Sequence, residues 1–207
     1  MKHTLLAEIM AGQLLSIAEI KTHELSIAET QLAIKRIKTI FESYLSQKLS
    51  LTRVSAPKFI RTNTGIQDDL ANTCSSVKFN VPSCGYDVEI VHSLAKWKRV
   101  ALKRYDIPEH SGIYTDMDAI RKDEVLDFMH SIYVDQWDWE MRINREDRNE
   151  KYLRELVKKI YDALKITSHI INFEFQTNIY LPEMIHFIHT EELEEMYPMM
   201  TSKEREN

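Results

Sequence analysis

Two short segments of this 207-residue chain concentrate side chains able to recognise anions, amines and planar groups. They are His92–Arg99 (HSLAKWKR) and His130–Glu140 (HSIYVDQWDWE). Lys96, Lys98 and Arg99 can hold a carboxylate or a phosphate. Equally, they can form the solvated face of a surface helix, with Trp97 as its packing anchor. Arg121 with Glu124 offers the same choice, an anion clamp or a surface ion pair that contributes little. If His130–Ile143 is a strand, alternation puts Gln136 and Asp138 on one face and Asp135 with Trp137 on the other. Two polar side chains side by side on an apolar strand suit an ammonium group, or the wet face of an edge strand. Asp68, in the loop sequence Gly65–Asp69 (GIQDD), is either a proton acceptor or a turn former.

Residues of these types suit the binding of anionic and amino groups: cations for a carboxylate or phosphate, polar groups beside them, and an acid able to accept a proton. The four glycines are about 2% of the chain, against a typical ~7%. Neither GxxxxGK[ST] nor GxGxxG occurs, so Arg or Lys side chains must hold any phosphate.

Several elements must position these residues. Thr30–Leu49 has a helical apolar face (Leu32, Ile34, Ile37, Phe41, Tyr44, Leu45), with Thr30 able to cap it. Leu51–Pro57 reads as a strand ended by proline. Arg61–Asn72 is polar loop. Ser76–Asn80 and Asp87–Val91 alternate around Pro82–Gly85, a hairpin pattern. Leu94–Tyr105 and Arg145–Asn172 read as helices, Met184–His189 as a short strand, and Thr190 as the cap of a helix over Glu191–Met196. Ile113–Ile120 has no clear assignment. Residues 1–30 form a helical N-terminal extension in which LSIAEI (15–20) is echoed by LSIAET (25–30). Long helices separated from hairpin strands indicate an α+β fold with an antiparallel sheet.

Composition narrows the function. Hydrophobic residues are 43%, charged residues 29%, and the net charge is −5, which disfavours a general nucleic-acid binder. No apolar run approaches the ~20 residues of a membrane span, and Glu8 interrupts the only leader-like stretch. A cytoplasmic location is the default. Cys74 and Cys84 are too few for a disulfide framework or a Cys-rich zinc site. His186 and His189, at strand spacing, face opposite ways and suit no shared metal.

From about Gln31 onward, GIQDDL, EIVHSLAKWKR, GIYTDMDAIRKDE, HSIYVDQWDWE and LPEMIHFIHTEEL occur in the order and spacing of the ammonia-dependent asparagine synthetases. The chain resembles that aspartate–ammonia ligase family. The resemblance implies a class II aminoacyl-tRNA synthetase-like antiparallel sheet flanked by helices, in a homodimer that binds neither nucleic acid nor membrane. It also implies the reaction, asparagine from L-aspartate, ammonia and ATP through a β-aspartyl-adenylate, with AMP and pyrophosphate released. Asp68 matches the acid that receives the ammonia nitrogen, Arg121 the second-motif arginine at the α-phosphate, and Gln136 the glutamine that orients the reacting carboxyl. Ser93, Lys98 and Asp138 match aspartate ligands, Lys98 for a carboxylate and Asp138 for the α-amino group. Ser131 falls at a further substrate position and Glu124 at a nucleotide position. The family's later acidic residues for Mg²⁺, and its Gly-rich stretch with the third-motif arginine, do not occur in these 207 residues. Residues 31–207 are therefore expected to be the N-terminal part of an incomplete catalytic domain, truncated at its C-terminus, with Mg²⁺ ligands in the missing part. The alternative expectation is a catalytically dead remnant that acts as a binding or regulatory module or needs a separate C-terminal chain.

Overall fold

The structure, a computed structural model, describes residues 24–68, 70, 75–127 and 130–205. Most of the expected 1–30 extension, with the first copy of the LSIAE echo, lies outside them. In chain order the elements are α1 (Ile27–Leu49), β1 (Leu51–Arg53), β2 (Phe59–Arg61), β3 (Lys78–Val81), β4 (Tyr86–Ile90), α2 (Ala95–Arg104), β5 (Gly112–Ile120), β6 (Tyr133–Met141), α3 (Glu150–Phe175), α4 (Thr190–Met196) and α5 (Ser202–Arg205).

α1 is capped by Ser26, not by Thr30. The Ser26 hydroxyl accepts from Glu29 N–H, and the Glu29 carboxylate accepts from Ser26 N–H at 2.9 Å. This capping box satisfies two terminal donors at once, so it outcompetes a lone threonine. Thr30 instead donates its hydroxyl back to Ser26 O. At the other end Ser50 takes a left-handed conformation (φ 53°) and turns the chain straight into β1.

Two three-stranded sheets form. One has the order β1-β5-β6, with β1 parallel and β6 antiparallel to β5; the other is antiparallel, in the order β2-β4-β3. The parallel pair departs from a wholly antiparallel expectation. It arises because the chain leaves β1, builds the second sheet and α2, and only then returns as β5. β1 is also shorter than Leu51–Pro57. Val54 N–H still reaches Tyr114 O at 2.9 Å, but pairing ends before Pro57, which has no N–H to donate. The β3–β4 hairpin closes as expected, with Cys84 N–H and Gly85 N–H both donating to Val81 O and Gly85 at φ +69°.

β5, unassigned from sequence, is the central strand of its sheet. Alternation on β5 and β6 separates two environments. Tyr114, Trp137 and Trp139 pack with Phe41, Leu45 and Leu49 of α1 and with Leu156, Ile160 and Ala163 of α3. On the other face Ile113 meets Ala101 and Leu102 of α2, and Met117 and Ala119 meet Val91 and Leu94. The ion pairs Arg36–Glu174 and Lys48–Asp162 show that α1 and α3 run antiparallel.

Gly112 sits where β1, β5 and β6 meet, in register with Leu51 on one side and Met141 on the other. A Cβ there would collide with Glu140 O and lie 2.8 Å from Leu51 Cδ2. Gly112→Ala is therefore expected to lower stability by about 1–3 kcal/mol, read by urea denaturation. An unchanged midpoint would show that the three strands can part without cost.

Tyr114 gives a second check on this interface. Burial and its 2.6 Å hydrogen bond to Glu42 Oε1 push its phenol up to about 12. A raised folded-state value means that the stabilising contribution is complete below the unfolded value near 10 and is lost as pH rises toward 12. The melting temperature should fall over that window, and less so in Tyr114→Phe.

α3 begins at Glu150, because Asn149 Oδ1 caps it by accepting from Tyr152 N–H. The expected strand Met184–His189 does not form. Residues 176–189 instead run back along α3 and are held by side chains: Asn172 binds Ile179 O, Tyr161 binds Pro182 O, Lys165 pairs with Glu183, and Arg154 lies over Phe187. α4 follows with His189, not Thr190, at its N-cap and no side-chain cap bond.

Candidate active site

The face of β6 toward α2 carries Gln136, Asp138 and Glu140, in register with Met117, Thr115 and Ile113. Asp135 and Trp137 lie on the opposite face, as alternation requires. α2 runs over this polar row. Lys98, fully buried (0% exposed), brings its Nζ to 2.5 Å from Asp138 Oδ1. One turn position on, Arg99 pairs with Glu140 at 3.3 Å. The solvated-face reading of the HSLAKWKR cations therefore fails for Lys98 and holds only for the exposed Lys96 and Arg99.

The Lys98–Asp138 contact is close but poorly directed. Nζ makes no well-formed hydrogen bond with any described residue. Among the described residues, three other buried polar atoms share this condition: Arg121 Nε, Gln136 Oε1 and Trp137 Nε1. Such atoms are rare in folded proteins and cost about 1–3 kcal/mol each. Trp137 lies on the other face of β6, against Phe41 and Tyr114, where nothing in the structure explains its unpaired N–H. The remaining three belong to residues that the sequence had singled out for chemistry, and all face the α2 side. Gln136 is in β6, Lys98 reaches in from α2, and Arg121, one residue beyond β5, continues the row Ile113, Thr115, Met117, Ala119.

The loop after β5 holds Arg121 in place. Arg121 N–H donates to Ile132 O at 2.6 Å, and Glu124 N–H donates to Arg121 O. Asp123 takes the N–H and hydroxyl of Ser75, which with Lys122 hold its carboxyl well below the usual range. Glu124 is half-buried and Ser131 exposed.

Asp68 arrives from the loop after β2. Its Oδ1 accepts from Leu70 N–H at 3.1 Å, and among the described residues its Oδ2 has no partner. The loop is fastened to the start of the HSLAKWKR segment: Gln67 Nε2 donates to Ile90 O at 2.8 Å, His92 N–H donates to Gln67 Oε1 at 3.0 Å, and Lys96 Nζ donates to Gln67 O at 2.9 Å. Ser93, half-buried between Asp68's anchor and Lys98, accepts from Ala95 N–H. Gln67 and Glu140 have positions in this site that sequence reasoning did not assign, although both stand within the quoted motifs; Lys96, read as a candidate anion holder, instead donates to the Gln67 carbonyl.

Among the described residues, no group of three or more His, Cys, Asp or Glu is placed to hold a metal ion. A surface depression along α3, lined by Glu150, Lys151, Arg154, Glu155 and Lys158, shares no residue with the cluster.

A mixed sheet packed against helices in this way has counterparts among solved structures. Asparaginyl-tRNA synthetase of Entamoeba histolytica superposes with TM-score 0.52 at 12% identity, covering 81% of this chain and 35% of that one. The same enzyme in complex with asparaginyl-adenylate gives 0.53 at 10% identity, covering 86% and 40%. The fold is that of the class II aminoacyl-tRNA synthetases.

Within that fold the family model for AsnA, aspartate-ammonia ligase, matches residues 28–207, and the chain belongs to this family. The aspartate–ammonia ligase of Fusobacterium nucleatum is 54% identical over 184 residues, 88% of this chain and 56% of that protein. The Clostridium tetani ligase is 50% identical over 203 residues, 97% of this chain and 59% of that protein. The chain thus spans a little over half the length of these relatives.

Proposed function

We propose that this chain carries the aspartate-recognising and adenylate-forming side of an aspartate–ammonia ligase, which converts L-aspartate, ammonia and ATP into asparagine, AMP and pyrophosphate. The observation that carries the proposal is the coincidence of Lys98 Nζ, Arg121 Nε and Gln136 Oε1 as buried, unsatisfied atoms on one side of the sheet. A ligand bearing carboxylates and a phosphate offers partners to the two cations, and their preorganisation costs nothing further at the moment of reaction.

The roles follow from chemistry and placement. Lys98 and Asp138 are a ready-made pair for a zwitterion: the ammonium takes a carboxylate and Asp138 takes the α-amino group. Ser93 and Ser131 add polar contacts to the amino acid. Gln136 orients the β-carboxyl, one of whose oxygens attacks the α-phosphorus of ATP as pyrophosphate leaves. Arg121 neutralises charge on the α-phosphate, and Glu124 contacts the nucleotide. Asp68 holds ammonium and takes a proton as nitrogen attacks the acyl carbon; AMP then leaves with the former carboxylate oxygen. Mg²⁺, when bound, screens the triphosphate.

The homodimer is part of the same proposal. α1 leaves Ile27, Ile34 and Ile37 exposed on one side, an apolar face that a second copy can cover. No helix among the described residues is long and apolar enough to cross a membrane, and the cytoplasm remains the proposed location.

The test incubates the purified protein with aspartate, ammonium, Mg²⁺ and ATP. Equal amounts of AMP and asparagine support the proposal. Aspartate binding with no turnover would instead favour a binding or regulatory module that needs a second chain for catalysis.

A further inference from the structure

Among the described residues of its loop, Gln67 is the one whose side chain bonds two backbone groups of the β4–α2 stretch. It donates to Ile90 O and accepts from His92 N–H, so its amide stands in for a missing β-strand partner at the point where β4 ends. Its own carbonyl is taken by Lys96 Nζ, and the next carbonyl, that of Asp68, lies 3.3 Å from Nδ1 of the buried His92. Four contacts thus fix the backbone on both sides of Asp68's Cα to the segment that continues into Ser93 and Lys98. No bond of this set touches the Asp68 carboxylate itself. Its Oδ1 is turned back to Leu70 N–H, so the direction of Oδ2 depends on where the backbone is held.

We propose that Gln67 is a positioning residue for amide formation: its two hydrogen bonds to the β4–α2 junction set Asp68 at the distance from the aspartate site that attack by ammonia requires. This rests on the reading of Asp68 as the ammonium acceptor. It separates the two halves of the reaction. Adenylate formation uses Arg121, Gln136, Lys98 and Asp138, none of which touches Gln67. Attack by ammonia uses Asp68, whose placement Gln67 determines. Misplacement of a reacting group by about 1 Å costs roughly 100-fold.

The experiment compares the full protein with Gln67→Met, which keeps the length and loses both hydrogen bonds, and with Gln67→Glu, which keeps the acceptor for His92 N–H. Aspartate-dependent exchange of labelled pyrophosphate into ATP reads the first half-reaction without ammonium; asparagine formation reads both. Gln67→Met should keep exchange within about twofold of the parent while asparagine formation falls about 100-fold with a raised ammonium KM, and Gln67→Glu should fall between them. Equal loss of exchange and asparagine formation, or loss of neither, would overturn the positioning role and leave the ligase reading standing. A parent protein that performs neither half-reaction would overturn the ligase reading, and the role of Gln67 with it.

Discussion

Lys98→Met is expected to lower asparagine formation by about 10²–10³-fold or more and to abolish measurable aspartate binding. The ammonium is wholly buried and lies 2.5 Å from Asp138, whose side chain is only 17% exposed. Removing it takes away the cation proposed for the substrate carboxylate and leaves an unpaired acid below α2. Breaking a buried pair in this way costs about 3–5 kcal/mol of stability, so lost activity alone could reflect a damaged fold. The double variant Lys98→Met/Asp138→Leu resolves the ambiguity. Replacing both charges by apolar groups of similar size is close to neutral for stability, so it should regain the parent's denaturation midpoint and stay inactive. Parent-like aspartate affinity in Lys98→Met, measured by titration calorimetry, would remove Lys98 from the site.

Arg121→Leu should behave in the opposite way toward stability. The Arg121 side chain has no partner among the described residues, and its Nε is buried. What holds this position is backbone: its N–H to Ile132 O, and Glu124 N–H to its carbonyl. Losing the guanidinium removes an unsatisfied donor and no bond, so the denaturation midpoint should hold or rise. Aspartate-dependent pyrophosphate exchange should nevertheless fall about 10²–10³-fold if, as proposed, the guanidinium is the counterion of the α-phosphate. A large drop in stability with exchange preserved would make Arg121 a structural residue.

These opposed effects also indicate what a sequence can convey. The alternation that put Gln136 and Asp138 together on β6 was legible, because period two is a property of the strand alone. So was the hairpin around Pro82–Gly85, whose turn residues act locally. The burial of Lys98 was not legible: HSLAKWKR fits a surface helix equally well, and only the packing of α2 over β6 decides which of its cations faces inward. β5 was obscured by its own centrality. Packed on both faces, it mixes Ile113, Met117 and Ala119 with Thr115, Asp116 and Asp118, and Asp116 and Asp118 are tolerated because Lys38, Arg53 and Lys58 lie beside them. The cap expected at Thr30 gives way to Ser26, because the reciprocal bonds of Ser26 and Glu29 set the start of α1. Met184–His189 has strand-like composition but no strand edge beside it, and side chains of α3 capture that segment instead. Gln67 is the least legible of all. Glutamine before aspartate carries no signal until the loop is seen to lie against Ile90 and His92.

Asp68, Arg121 and Gln136 serve one reaction only if the aspartate side chain is activated by transfer of AMP. Aspartate labelled with ¹⁸O in its β-carboxylate, turned over with ammonium, Mg²⁺ and ATP, tests this directly by mass spectrometry of the products. One labelled oxygen should appear in AMP for each asparagine formed, because the carboxylate oxygen that attacked the α-phosphorus departs with it. Label in inorganic phosphate with ADP as product, or AMP carrying none, would contradict adenylate formation at this site.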